Sequence, residues 1–360
     1  MNVSDVMAAL DLIAPPHLAL DGDPRGLLVG DPKATVDAIL VALDVTPDVA
    51  RQASEQGAQI IIAHHPLIYH PLRSVRADEA HPGGVVLRCA REGIAVACAH
   101  TNWDVAPGGV NDILARLAGI TSVVKPLRVT YHEALVKITV FVPTENREAV
   151  FDAMASAGAG AIGNYDRCGF WTGGTGTFRP LPGANPYLGA VGQGETVAEV
   201  RLEMIVPEPK ISAVVAAMKE AHPYQEVAYD VYPLANTATE YGLGRIGTLA
   251  EAVPADVFLE SLKTALNFRE IRMVGPRDRM IRRVAVGGGA CAELMPDAIA
   301  QGADVLVTSD TRHHEFVDAT ARGFVLIDAG HATTETPGAQ ELARRLGEAL
   351  GPDVRVTFAD

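Results

Sequence analysis

Short apolar runs recur along the chain between polar, glycine-rich joints. Runs at 38–43, 58–63, 94–99, 283–286, 303–308 and 324–327 are continuous rather than alternating. That pattern predicts strands buried on both faces, as in a parallel sheet covered by helices. Apolar residues at 3, 6, 7, 10 and 13 predict an opening amphipathic helix over Val3 to Ala14, with Ser4 as its cap. A strand-helix-strand unit follows: strand Ala38 to Leu43, helix Pro47 to Gln56, Gly57 as C-cap and strand Ala58 to Ala63. Thr46 as N-cap with Pro47 at the first helical position makes a sound helix start. The same unit recurs as strand Arg283 to Val286, turn Gly287 to Gly289, helix Cys291 to Gln301, Gly302 and strand Ala303 to Thr308. Gly57-Ala-Gln-Ile-Ile-Ile corresponds residue by residue to Gly302-Ala-Asp-Val-Leu-Val. An internal duplication giving two similar α/β lobes follows, against the alternative of two generic units alike by chance.

Between the lobes the rhythm changes. Leu135 to Val142 and Val200 to Val206 alternate like half-exposed strands, with helices expected over Glu145 to Ala157, capped by Thr144, and Pro209 to His222. This order predicts an inserted ferredoxin-like α+β domain. The expected division is a first lobe at 1–127, an insertion at 128–234 and a second lobe at 235–360. Within the insertion, Gly173-Gly-Thr-Gly-Thr reads as a phosphate loop or as a hairpin. No Lys-Ser/Thr follows it and no helix begins there, which favours the hairpin.

Composition narrows the partners. A net charge of −14 over 360 residues offers no electrostatic footprint for nucleic acid as the main partner or for an anionic membrane. The four cysteines, at 89, 98, 168 and 291, form no C-x-x-C pair, so neither a disulfide framework nor a zinc knuckle is expected. Neither a signal peptide nor a membrane span stands out, and a cytoplasmic location is the expectation.

Candidate chemistry gathers where apolar runs end. Gln59 to Ala63 leads into His64-His65-Pro66, Gly93 to Ala99 into His100-x-x-x-Asp104, and Gly323 to Gly330 into His331-x-x-x-Glu335. Side chains alternate along a strand, so His64 and His65 suit two neighbouring ions better than one. A His-His pair alone is more readily a solvated or hydrogen-bonded strand end. The other two strand ends change that balance, because His-x-x-x-acid places both groups on one helical face. Mixed imidazole and carboxylate donors suit first-row divalent metals.

Together, His64-His-Pro-Leu, His100-Thr-Asn-x-Asp and Gly330-His-x-x-x-Glu335 resemble the NGG-interacting-factor-three-like family of dinuclear metal proteins. Its members often carry the name GTP cyclohydrolase I type 2 homologue. Tyr165-x-x-Cys168, Gly174-Thr-Gly-Thr-Phe-Arg179 and His222-Pro-Tyr-Gln-Glu-Val-Ala-Tyr229 resemble the PII/CutA-like insertion of the long bacterial members. The resemblance implies a toroidal homohexamer and two divalent ions per subunit, and a set of three His and two carboxylates accepts Zn, Fe, Mn or Ni. It implies the ligands His64, His65, Asp104, His331 and Glu335, with Glu335 bridging, His65 and Asp104 on one ion, and His64 and His331 on the other. His100, beside Thr101, is then the candidate catalytic base, and Arg312 and His314 are candidates to line the site or parts of a polar loop. Ser309 and Trp103 depart from the family pattern, and Trp103 is expected to narrow the pocket. The implied function is metal-dependent hydrolysis of a nucleotide or phosphoester. The alternative is a metal-handling or regulatory protein with a PII-like sensing domain. Gly287-Gly-Gly289 reads as a phosphate cradle or as a tight strand-to-helix turn.

Overall fold

Every continuous apolar run becomes a buried strand, because each lies between helices that cover both faces of its sheet. The structure, a computed structural model, describes residues 1–78 and 82–359. The first lobe runs α1 (Val3–Ile13), β1 (Gly26–Val29), β2 (Ala38–Ala42), α2 (Pro47–Gln56), β3 (Ile60–Ala63), α3 (Gly83–Glu92), β4 (Ala95–Cys98), α4 (Thr101–Val105) and α5 (Val110–Leu117). The insertion follows with β5 (Lys125–Pro143), α6 (Arg147–Ser156), β6 (Gly169–Phe178), β7 (Glu195–Pro207), α7 (Ile211–Ala221) and β8 (Tyr229–Pro254). The second lobe comprises α8 (Ala255–Ala265), β9 (Arg272–Val274), β10 (Met280–Val286), α9 (Met295–Ala300), β11 (Val305–Thr308), α10 (His313–Ala321), β12 (Val325–Asp328), α11 (His331–Leu350) and β13 (Arg355–Phe358).

The chain forms two compact units, 1–131 with 241–360, and 132–240. Both divisions fall inside the long strands β5 and β8, a few residues beyond joints at 127 and 234. The two lobes make one unit because they share a core: Val41, Ile60, Trp103, Leu306, Leu326 and Leu342 belong to one buried cluster.

Each lobe is built round a parallel set of strands, and β13 from the end of the second lobe completes the sheet of the first. In the first, of order β1-β4-β3-β2-β13, strands β2, β3 and β4 are parallel, with Ile39 opposite Ile60 and Ile60 opposite Ala95. In the second, β9-β12-β11-β10-β8, strands β10, β11 and β12 are parallel, with Val284 opposite Val305 and Val305 opposite Val325. An antiparallel edge strand follows in both, β1 on β4 and β9 on β12. Equivalent strands in equivalent order make the lobes duplicates. Asn2 caps α1 through a capping box with Asp5, in place of the expected Ser4, whose hydroxyl bonds Pro32 O. Thr46 caps α2 as expected, and Gly57 (φ 64°) ends it.

The insertion is a four-stranded sheet of order β6-β7-β5-β8 with two helices, the ferredoxin-like arrangement. Ile138, Val140, Leu202, Met154 and Met218 fill its core. Gly173 to Thr177 lies within β6, hydrogen-bonded to β7, so no phosphate loop forms there. A 3-10 turn, Thr144–Asn146, precedes α6, and the expected Thr144 cap is not made. Among the described residues no helix is long and apolar enough to cross a membrane.

Candidate metal centre

Donors from both lobes meet where β3, β4 and β12 leave their sheets. His64 N–H and His65 N–H still bond β2 and its continuation, at Ala42 O (3.0 Å) and Leu43 O (2.9 Å). That pairing fixes where both rings begin. The rings lie 5.1 Å apart between centroids and reach the two oxygens of one carboxylate. His65 Nε2 stands 2.9 Å from Glu335 Oε2, and His64 Nε2 3.7 Å from Glu335 Oε1. Glu335 sits one turn into α11 and is 3% exposed. His331 opens that helix, with Nε2 3.0 Å from Glu335 Oε2 and 3.2 Å from His65 Nε2. Asp104, one turn past His100, puts Oδ1 3.5 Å from His64 Nε2.

All five expected donors therefore converge. His65 and His331 share Oε2, while His64 and Asp104 lie on the Oε1 side. The reason is positional: His331 starts α11 beside His65, whereas buried His64 faces the short helix α4.

Each ring is held from behind. Nδ1 of His64 donates to Ala99 O (2.9 Å), of His65 to Asp44 (2.8 Å) and of His331 to Asp310 (2.7 Å). A proton on Nδ1 leaves each Nε2 with a lone pair facing the centre, the arrangement of metal-binding histidines. Asp310 reaches His331 from a left-handed backbone (φ 50°), uncommon for a side chain other than glycine and typical of functional turns. Asp44 and Asp310 escaped the sequence reading because both look like ordinary turn residues. Their position directly after a strand was the available signal.

His64 Nε2 and Asp104 Oδ1 are buried without a hydrogen-bond partner. Leaving such atoms unsatisfied is costly, and a cation between them would satisfy both. His64, His65 and Glu335 offer donor atoms within 4.8 Å of one another and could hold a metal ion. Without one, protons take its place. Burial alone would lower His65, but Asp44 and Glu335 outweigh it and hold the ring up at about 10. The Glu335 hydrogen bond, against burial, lifts His331 to about 9. Burial raises Asp104 to about 6, His64 offsetting part of the effect. Burial would also raise Glu335, yet its histidines overcome this and keep it well below the usual carboxylate range.

The Gly287-Gly-Gly289 turn is a wall of this centre. A Cβ on Gly289 (φ 67°) would come within 2.1 Å of Glu335 Oε1. Its N–H groups are engaged: Gly287 with Val307 O, Gly288 with Asn111 Oδ1 and Gly289 with Thr334 Oγ1. The phosphate-cradle reading therefore fails, and the tight-turn reading holds.

Other expectations also move. Trp103 is fully buried, donates from Nε1 to Gly338 O at 3.0 Å and lies beneath Arg345, so it ties α4 to α11 instead of narrowing a pocket. Arg312 and His314 are exposed at the start of α10, where Arg312 N–H bonds Glu315. Ser309, at the position equivalent to His64, is fully buried. His100 lies beside the donors, its ring 5.4 Å from His64 and 5.8 Å from His65. Nδ1 of His100 donates to Asp23 (2.7 Å), which also accepts from Thr101 N–H (3.1 Å) and Oγ1 (2.6 Å). These bonds, against burial, keep Asp23 below its ordinary range. Asp23 was invisible in the sequence, because its loop lies 77 positions before His100.

Comparison with known proteins agrees with this fold. The family model described as Duf34/NIF3 (NGG1p interacting factor 3) matches residues 1–360. A Halalkalibacterium halodurans protein named GTP cyclohydrolase 1 type 2 homolog is 42% identical over 330 residues, 92% of this chain and 88% of its own. A Mycobacterium tuberculosis protein of the same name is 39% identical over 362 residues, 99% of this chain and 94% of its own. The crystal structure of a Bacillus cereus protein related to NIF3 matches with a TM-score of 0.93 at 41% identity, covering 100% of this chain and 97% of that one. With two duplicated lobes, a ferredoxin-like insertion and a His/Glu cluster able to hold metal, the chain belongs to the Duf34/NIF3 family.

Proposed function

We propose that this centre takes two divalent ions, Zn, Fe or Mn, and that the chain is a metal-dependent hydrolase of a nucleotide or phosphoester. The observation that carries the reading is the divided Glu335 carboxylate, with Oε2 between His65 and His331 and Oε1 toward His64 and Asp104. A carboxylate so placed can bridge two ions. Two ions held there would supply Lewis acidity and would bring the pKa of a coordinated water toward neutrality. The chain's own acid-base group is His100: Asp23 holds its Nδ1 proton, which leaves Nε2 as a proton acceptor. Tyr69, 58% exposed and 6.4 Å from His100 between ring centroids, offers a face to an arriving substrate. The names of the relatives favour a nucleotide. Assembly into a toroidal homohexamer belongs to the same proposal, and light scattering of the purified protein tests it.

The decisive experiment pairs elemental analysis of protein purified without added metal with turnover of GTP, cyclic nucleotides and oligonucleotides in Mn or Zn. His100→Asn should lower turnover by roughly 10²–10⁴-fold while metal content holds. Full occupancy with no turnover anywhere on that panel would favour the metal-handling reading instead.

A further inference from the structure

Two stretches that the metal centre does not use, Gly174 to Arg179 and His222 to Tyr229, meet inside the insertion. The first ends β6, the second follows α7, and between them lies a cavity of about 590 Å³. That volume falls within the range of roughly 300–1,000 Å³ common for small-molecule sites. The chain leaving β6 covers it as a closed loop: Gly192 N–H bonds Pro180 O (2.8 Å) and Asn185 N–H bonds Gln225 Oε1 (2.9 Å). Leu181 and Tyr187 on this loop line the cavity yet stay 61% and 50% exposed.

One wall is aromatic. The Tyr224 ring lies 5.7 Å from Phe178 and 6.2 Å from Tyr187 between centroids. The polar group is Glu199, 9% exposed, whose Oε1 accepts from Tyr224 O–H at 2.9 Å. Its Oε2 has no hydrogen-bond partner among the described residues and lies against Gly176, where a Cβ would come within 2.0 Å. Glycine at 176 thus makes room for the carboxylate. His222 cannot serve as its counter-ion, because Nε2–H donates to Phe141 O (3.0 Å) and Nδ1 accepts from Tyr224 N–H (3.1 Å), a neutral ring. Among the described residues Arg179 is the one cationic lining residue, and it is exposed.

A nearly buried carboxylate with an open oxygen beside three aromatic rings favours positive charge on both counts. We propose that this cavity binds a small organic cation: an amine on a flat apolar body, its N–H groups on Glu199 Oε2 and its body against Tyr224, Phe178 and Tyr187. Glu226 at the rim adds a second negative charge. The loop that carries Leu181 and Tyr187 closes over the apolar body and buries both side chains.

Calorimetry on the full chain tests this with three probes that differ at one end: tryptamine, tryptophol and indole-3-propionate. Tryptamine should bind at least about tenfold more tightly than tryptophol, and Glu199→Gln should abolish that difference. Tyr187→Ala, on the exposed loop, should weaken tryptamine by about tenfold with the fold intact. Equal binding of amine and alcohol by the wild type, preference for the carboxylate probe, or no heat with tryptamine up to about 10 mM would each overturn the proposal. So would unchanged tryptamine affinity in a folded Glu199→Gln. The wild-type comparison of amine with alcohol needs no variant and decides alone if Glu199→Gln does not fold.

Discussion

The two lobes repeat a scaffold but not its chemistry. Parallel strands β2, β3, β4 and β10, β11, β12 present equivalent C-terminal ends, yet β3 ends in His64-His65 where β11 ends in Ser309-Asp310. The first lobe supplies three of the candidate donors. The second supplies His331 and the central Glu335, and its Asp310 serves as an orienting group behind His331. Duplication thus provides positions twice, and side-chain divergence decides which of them face the centre. An asymmetric site on a symmetric frame follows, with neither lobe sufficient by itself.

That asymmetry can be tested from its largest consequence downward. Glu335→Ala removes the group both donor pairs share, and metal titration followed by elemental analysis should show affinity reduced more than about a hundredfold at both positions. His314→Ala, an exposed change, should leave the same titration unaltered. Wild-type metal content in Glu335→Ala would break the idea of a shared carboxylate. Next come the groups behind the rings: Asp44→Asn and Asp310→Asn should each weaken metal binding by about 10–100-fold. Asn tolerates the left-handed backbone at 310, so the second change isolates charge from strain. If only one of the pair matters, the lobes contribute unequally behind the rings as well as in front.

Smaller effects compare the helices and then the insertion. Thr46 Oγ1 caps α2, while its counterpart α9 starts from a 3-10 turn without a side-chain cap. Thr46→Ala should therefore cost about 1 kcal/mol in chemical denaturation, measured on metal-free protein. The smallest effect uses His222 as a contrast to His65 and His331. Its partner is a carbonyl rather than a carboxylate, and burial lowers it from 6.5. A depressed histidine contributes stability above its unfolded pKa that is lost as pH falls through the folded one. Melting temperature should fall as pH drops below about 6.5, and His222→Gln should flatten that limb by about 2–4 °C.

How much of this was legible in sequence depends on the range of each interaction. The buried strands, α2 with Thr46 and Gly57, and the five donors were all legible, because each is announced by neighbours within one turn or one strand. The ferredoxin-like order of the insertion was readable for the same reason. Which ring stands beside which Glu335 oxygen was not, since it depends on how the lobes meet. Trp103 misled because its partner, Gly338, lies 235 positions away. The glycine turn stayed between two readings because a free N–H and an engaged one look alike until Asn111 and Thr334 are placed.

One edge of the first sheet has a further consequence for how this protein is made. Strand β13 lies parallel to β2, with Val356 opposite Ile39 and the Thr357 hydroxyl 3.4 Å from Ile39 O across 318 positions of chain. During translation, at roughly 5–20 residues per second, the outer edge of β2 emerges 318 positions ahead of its partner and waits for it. An unpaired, fully apolar strand edge is a template for association with other chains. Recombinant yield should therefore depend on chaperone capacity more than the stability of the finished fold would indicate.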